Sequence, residues 1–226
     1  MPQDEESTNV GPIQIYGDDI LGASCANPYE CQQLAEQLRE TGDWLESVAG
    51  VDSVAVQFDA TATGLDAARL RLVEQLRSLS VMAGSESPLI EIPVCYGGDF
   101  GPDFKAVLEA LGLSADELTA LHTAGEYRVE MLGFTPGFAY IGGLPDELNV
   151  PRIANPRQHV AAGSVGIAGG RSGLYALPGP GGWSLIGRTP LRLFDASAAQ
   201  PFLLRAGMRV RFKAIDAATY RDMEHL

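Results

Sequence analysis

Gly133-Phe-Thr-Pro-Gly-Phe-Ala-Tyr140, Gly163-Ser-Val-Gly-Ile-Ala-Gly-Gly170 and Gly181-Gly-Trp-Ser-Leu-Ile-Gly-Arg-Thr-Pro190 fall within one stretch, Gly133 to Asp195, that marks the chain's β-rich half. Glycine and proline punctuate it every few residues, and no helical stripe runs past Tyr127. Short segments rich in β-branched or aromatic residues and bounded by turn formers read as strands. Tyr127–Leu132, Ser164–Ile167, Gly173–Leu177, Ser184–Ile186, Leu191–Phe194 and Arg209–Phe212 fit that description. Many short strands with glycine turns predict a closed or nearly closed barrel, because closure removes unpaired edges. Just upstream, Pro102–Leu111 and Ser114–Thr123 read as two helices separated by Gly112, with Ser114 and Glu117 at capping-box spacing.

Toward the N-terminus the hydrophobic period changes. Ile13-Gln-Ile-Tyr16 alternates as a short strand, and from Pro28 to about Trp44 the leucines Leu34, Leu38 and Leu45 recur at near-helical spacing. Val51–Phe58 reads as a strand, and Leu65, Ala68, Leu72, Leu76 and Leu79 form an amphipathic helical stripe. Ile90–Tyr96 returns to strand character. With one more strand near Ile20–Ser24, that order predicts a split β-α-β, ferredoxin-like α+β domain over residues 11–86. A boundary at Gly84-Ser-Glu-Ser-Pro88 then hands over to a mainly β domain over residues 89–215. The acidic, polar first ten residues read as a loose terminus.

Composition removes several function classes. Acidic residues outnumber basic ones 29 to 16, for a net charge of -13, so neither nucleic acid nor an anionic membrane is the expected partner. The start, Met1-Pro-Gln-Asp-Glu-Glu-Ser7, has no secretory pattern and no long apolar run follows, so a cytoplasmic location is expected. Cys25, Cys31 and Cys95 lack a CxxC pair, and His122, His159 and His225 are too few for a histidine-rich centre, so no metal is expected.

Catalytic signatures are mostly missing. Neither lysine, Lys105 or Lys213, follows a glycine, which excludes the usual phosphate loop. Gly163–Gly170 is not G-x-G-x-x-G, and Ser164 misses the nucleophile-elbow spacing, so a turn or cleft serine is the better reading. Other residues invite two readings each. Phe134 and Phe138 flank the Pro136-Gly137 turn, as aromatic faces for a ligand or as barrel-corner packing. Pro151-Arg152 and Pro156-Arg157 repeat one dipeptide, each proline stiffening the chain before a guanidinium that fixes either an anion or a surface carboxylate. Arg188 is a third such arginine, Trp183 after Pro180-Gly-Gly is a stacking surface or a buried aromatic, and His122 is a proton-transfer group or a structural histidine.

These segments taken together resemble one family: Ile92-Pro-Val-Cys-Tyr-Gly-Gly98, Phe100-Gly-Pro-Asp103, Leu121-His122, Met131–Tyr140, Gly142-Gly-Leu-Pro145, Pro151-Arg152, Pro156-Arg157, Ala162–Ile167, Gly181-Gly-Trp183 and Leu185–Leu191. The chain is similar over residues 90–213 to the family of the small B-type component of 5-oxoprolinase (PxpB), also described as KipI-like or as allophanate hydrolase subunit 1. It departs from that pattern at Ala176 and Gly179, and its N-terminal half matches loosely. The resemblance implies a cyclophilin-like barrel behind a smaller α+β domain. It implies two partners, the larger homologous subunit of 5-oxoprolinase, which is its C-type component, and the LamB/YcsF-like subunit, which is its A-type component. It implies ATP-dependent opening of 5-oxo-L-proline to L-glutamate as their joint reaction.

It also raises His122, Phe134, Pro136, Gly137, Phe138, Arg152, Arg157, Ser164, Gly166, Trp183 and Arg188 as site residues. The expected roles are Arg152, Arg157 and Arg188 as anion clamps, His122 in proton transfer, and the other residues as substrate contacts, with Phe138 and Trp183 as walls. The competing implications are a KipI-like inhibitor of a sensor histidine kinase and a carboxyltransferase-like component of urea or allophanate metabolism.

Overall fold

The structure is a computed structural model, and it describes residues 12–79 and 89–224. The expected boundary at 84–88, the first ten residues and His225 lie outside the described residues. The chain divides into two compact units, Met1–Ser85 and Glu86–Leu226.

In the first unit the elements run β1 (Gln14–Tyr16), β2 (Ile20–Ser24), α1 (Pro28–Glu40), β3 (Glu46–Ala49), β4 (Ser53–Gln57) and α2 (Leu65–Ser78). Helix α1 starts where Asn27, in extended conformation, accepts the Glu30 backbone N–H on its side chain at 2.9 Å, with Pro28 in the first turn. It stops at Glu40, short of the Trp44 expected from the leucine spacing, because Gly42 turns into the left-handed region at φ 72°. Leu34 and Leu38 of α1 and Leu72 and Leu76 of α2 share one core with Leu21, Ala23, Val54 and Val56, so both helices cover one face of the sheet.

The sheet order is β1-β2-β4-β3, antiparallel throughout. The portion from β2 to α2 follows a ferredoxin-like path, but the edge beside β2 is filled by β1, from before it in the chain. The closing strand that the ferredoxin-like expectation took from Ile90–Tyr96 lies in the second unit instead. An adjacent hairpin strand takes the open edge with far less loop to close than a strand returning from beyond α2.

The second unit begins with β5 (Leu89–Tyr96), α3 (Phe104–Leu111), α4 (Ala115–Ala124), β6 (Tyr127–Leu132) and β7 (Ala139–Gly142). A short 3-10 turn, Asp146–Leu148, leads to β8 (Arg157–Val160), β9 (Ser164–Ala168), β10 (Arg171–Leu174), β11 (Gly179–Gly181), β12 (Ser184–Arg188), β13 (Arg209–Ala214) and α5 (Ala217–Glu224). Seven of these strands close into a barrel in the order β10-β7-β6-β13-β5-β12-β9. A closed ring with an odd number of strands cannot be antiparallel at every seam. The parallel seam is β13 on β5, from Arg209 beside Leu89 to Ala214 beside Val94, where the last strand meets the first.

Alternation along the strands fills the interior with Ile92, Val94, Val129, Ile141, Val165, Ile167, Leu174, Val210 and Phe212. Ser114 caps α4 with the full capping box, accepting the Glu117 backbone N–H while the Glu117 carboxylate accepts from Ser114. The expected strand Leu191–Phe194 is only an isolated bridge between Phe194 and Phe202, since Pro190 interrupts the chain just before it. Strands β8 and β11 form a separate ribbon with a register irregularity between Gly179 and Gly181.

Candidate functional site: an arginine and aromatic cluster on the barrel wall

On the outer wall of the barrel one cross-strand row reads Tyr140, Gly173, Gly166, Leu185 over β7, β10, β9 and β12. The two glycines make a hollow, and rings fill it. A Cβ on Gly173 would stand 2.9 Å from Trp183 Cζ3 and 3.0 Å from Phe138 Cζ, and one on Gly166 would stand 3.0 Å from Trp183 Cβ. Phe138, Tyr140, Tyr175 and Trp183 meet edge to face, with Phe138 centroids 4.8 Å from Tyr140, 4.9 Å from Tyr175 and 5.8 Å from Trp183. Phe138 and Tyr175 are buried, and Trp183 and Tyr140 are half-buried, so the cluster has a floor and a solvent-facing side.

Phe134 extends the cluster outward. Its ring lies 5.7 Å from Phe138, it is 61% exposed, and it is the one non-glycine residue at positive φ, 71°, among those described. Backbone strain at an exposed aromatic beside a ring cluster points to function. Pro136 is exposed at the turn, whereas Gly137, at φ 76°, is buried with no room for a Cβ against Ala176.

The arginines divide in a way the sequence did not show. Arg152 is exposed and packs on Gly182, its Nη2 3.3 Å from where a Cβ there would sit, next to Trp183. Arg157, on β8, instead pairs with Asp103, with Nη2 donating to Oδ1 at 2.5 Å. The other Asp103 oxygen accepts the Leu185 N–H at 2.7 Å, and the Asp103 N–H donates to the Leu185 carbonyl at 3.0 Å. The Arg152 and Arg157 charges both act on Tyr175 and favour its ionised form. Burial nevertheless pushes the Tyr175 pKa above the ordinary phenol value, so it stays a neutral hydroxyl.

Arg188 sits apart. Its Nε donates to the Ala162 carbonyl at 2.8 Å, and its charge acts on Tyr220 of α5. Ser164, paired in register with Arg188, is buried at 4% exposure. The Ser164 carbonyl accepts the Tyr175 backbone N–H at 3.0 Å, so the strand under Arg188 is tied to the aromatic cluster through the main chain.

His122, expected as a proton-transfer group, lies in the core beside Phe212. It is fully buried at the end of α4, its Nδ1 2.7 Å from the Tyr96 hydroxyl and its Nε2 2.7 Å from Ser172 Oγ, and its ring stacks on Phe212 at 4.3 Å. Desolvation lowers its pKa to about 3. In this arrangement the neutral imidazole links Tyr96 of β5 and Ser172 of β10 to the end of α4.

The sequence reading missed Asp103, Tyr140, Gly173 and Tyr175. Only Asp103 carried a signal, an acid following Gly-Pro in the loop after β5. Gly101 in that loop would place a Cβ 2.2 Å from the Ile186 carbonyl, so glycine there lets the loop lie on β12. Among the described residues no group of three or more His, Cys, Asp or Glu is arranged to hold a metal ion, and no helix is long and apolar enough to cross a membrane.

Residues 13–204 match the family model described as carboxyltransferase domain, subdomain C and D. The chain is 44% identical over 181 residues to the 5-oxoprolinase B subunit of Escherichia coli O157:H7, covering 80% of this chain and 82% of that one. It is 40% identical over 210 residues to the 5-oxoprolinase B subunit of Haemophilus influenzae, covering 90% and 96%. Among solved structures it is similar to TTHA0988, with a TM-score of 0.76 and 33% identity over 88% of this chain, but it spans only 40% of that chain. Urea carboxylase of Kluyveromyces lactis shares the fold, with a TM-score of 0.70 at 17% identity over 93% of this chain and 22% of that one. With a family model over most of its length and relatives at 40–44% identity along 80–90% of it, the chain belongs to the family of 5-oxoprolinase B subunits within the carboxyltransferase subdomain C and D proteins.

Proposed function

We propose that this chain is one component of an ATP-dependent 5-oxoprolinase, a hydrolase that opens 5-oxo-L-proline to L-glutamate, and that its cleft is completed by the larger homologous subunit. The observation that carries the reading is near full-length identity of 40–44% to proteins named as the B subunit of 5-oxoprolinase. The partner finds support in TTHA0988, where the same fold occupies 40% of a longer continuous chain. The LamB/YcsF-like subunit is the third component in this reading.

A lactam resists hydrolysis because its carbonyl is a poor electrophile. Transfer of the ATP γ-phosphoryl group to the carbonyl oxygen releases ADP and activates the carbonyl carbon. One water adds there and the C–N bond breaks with the amine leaving, which gives γ-glutamyl phosphate, and a second water releases phosphate to give glutamate. This chain contributes charge and shape to that process. Arg152, exposed beside Trp183, faces developing negative charge, and the rings of Trp183, Tyr140 and Phe134 flank a small planar molecule. Proton transfer falls to a partner, because His122 is enclosed in the barrel core.

The test is to co-express the chain with its two partners and follow ATP-dependent glutamate formation. Turnover requires all three chains, and this chain alone gives none. Arg152→Ala lowers kcat/KM by about 10²–10³, the usual loss of one charge-stabilising donor. Full activity without this chain, or an unchanged Arg152→Ala complex, overturns the proposal.

A further inference from the structure

The Asp103–Arg157 pair is one acceptor short. Arg157 Nη1 is buried and has no hydrogen-bond partner among the described residues, although Nη2 of the same guanidinium is held by Asp103. An enclosed, unpaired guanidinium nitrogen is costly to keep, and structural bridges normally satisfy it. Asp103 is itself locked, with one oxygen on Arg157, the other on the Leu185 N–H, and its own N–H on the Leu185 carbonyl. The Leu185 side chain packs in the ring cluster, and Gly182, which supports Arg152, lies on the turn between β11 and β12. The same acid therefore fixes the guanidinium and the strand that forms the cleft floor.

A second ion pair in the same unit gives a contrast. Arg171 and Glu130 pair at 2.6 Å with side chains 36% and 20% exposed, against 30% and 16% for Arg157 and Asp103, yet no buried unpaired nitrogen is found on Arg171. The difference lies in shielding: an unpaired nitrogen is closed off from solvent on Arg157, and none is on Arg171.

The geometry points to Arg157 Nη1 as a receptor for an anionic ligand oxygen, with Asp103 as the positioning residue that aims it. The inference rests on the reading that the cleft takes a small anionic molecule, and it goes beyond that reading by naming the donor and the residue behind it. Nη1 is covered in this structure, so the incoming oxygen displaces what covers it and supplies the missing acceptor. Arg152, exposed on the neighbouring loop, meets the outer side of the same ligand. A carboxylate and a phosphoryl group offer the same oxygen chemistry, so 5-oxoproline and ATP are the two sources to distinguish.

The experiment titrates the chain, alone and co-purified with its partners, with 5-oxo-L-proline and separately with ATP. Trp183 emission is read in a Trp44→Phe background, with calorimetry as a second measurement. Asp103→Asn keeps the shape and removes the charge, Arg157→Lys keeps the charge and removes the fork, and Glu130→Gln is the control at the contrasting bridge. The expected result is that Asp103→Asn and Arg157→Lys each raise one ligand's dissociation constant about tenfold or more, with Glu130→Gln unchanged and the thermal midpoints of all three within a few degrees. An effect on 5-oxoproline identifies the carboxylate as the source, and an effect on ATP identifies the phosphoryl group. No change for either ligand, or losses that only track a fall in midpoint, overturns the inference and leaves a structural strut. A complex that turns over 5-oxoproline with Asp103→Asn at wild-type KM for both 5-oxoproline and ATP sinks the inference alone. Asp103-dependent anion binding in a complex without 5-oxoproline turnover sinks the functional reading alone.

Discussion

His122 makes the barrel sensitive to acid in a calculable way. Its pKa is lowered to about 3 in the folded chain, against 6.5 when unfolded, and burial is the cause. Between those values the unfolded chain takes up a proton that the folded chain refuses, so stability falls as pH drops below about 6.5 and keeps falling toward pH 3. Each unit of pH within that window costs about 1.4 kcal/mol. From pH 7 to pH 5 the loss attributable to this group is therefore about 2 kcal/mol, since only some 1.5 units lie below the unfolded value. His122→Gln removes the titration while keeping groups that can face Tyr96 and Ser172. The assay is urea denaturation followed on Trp183 in a Trp44→Phe background at pH 7 and pH 5, comparing the chain that retains His122 with the His122→Gln variant. The variant is less stable at pH 7, but its loss on acidification is smaller by about 2 kcal/mol, the titration of carboxylates cancelling in the difference. Equal acid sensitivity in the two proteins, or an imidazole NMR signal titrating near its ordinary value in the native state, refutes the enclosed neutral histidine.

Two further outcomes follow from the packing. Gly173→Ala forces a methyl to within 3.0 Å of the Phe138 and Trp183 rings, so it costs about 1–3 kcal/mol and shifts Trp183 emission, measurable by thermal melting and fluorescence; an unchanged spectrum and midpoint would show that the rings do not occupy the hollow. Ser114→Ala removes the capping box of α4 and lowers stability by about 1 kcal/mol in denaturant titration, whereas Ser114→Asp retains most of it.

The cleft was partly readable from the chain. The Pro136-Gly137 turn with its aromatics and the Gly-Gly-Trp183 run both belong to it, and Phe138 and Trp183 meet there. The arginines read less well: three similar Arg signals resolve into one exposed group, one paired with Asp103, and one turned to a backbone carbonyl. Spacing along the chain could not separate them, because Asp103 lies 54 residues before Arg157 and meets it only through the fold.

Local pattern carried the features that form within a few residues of one another. The α4 cap at Ser114, the leucine faces of α1 and α2 and most of the barrel strands follow from periods and turn residues within a few positions of one another. Tertiary structure alone decided that β1 rather than β5 flanks β2, that β13 runs parallel to β5, and that His122 is enclosed between Tyr96 and Ser172. It also decided that Gly166 and Gly173 align into one hollow under Trp183. Strand partners and the burial of a side chain depend on contacts between segments far apart in the chain, and no local pattern specifies which distant surface a residue will meet.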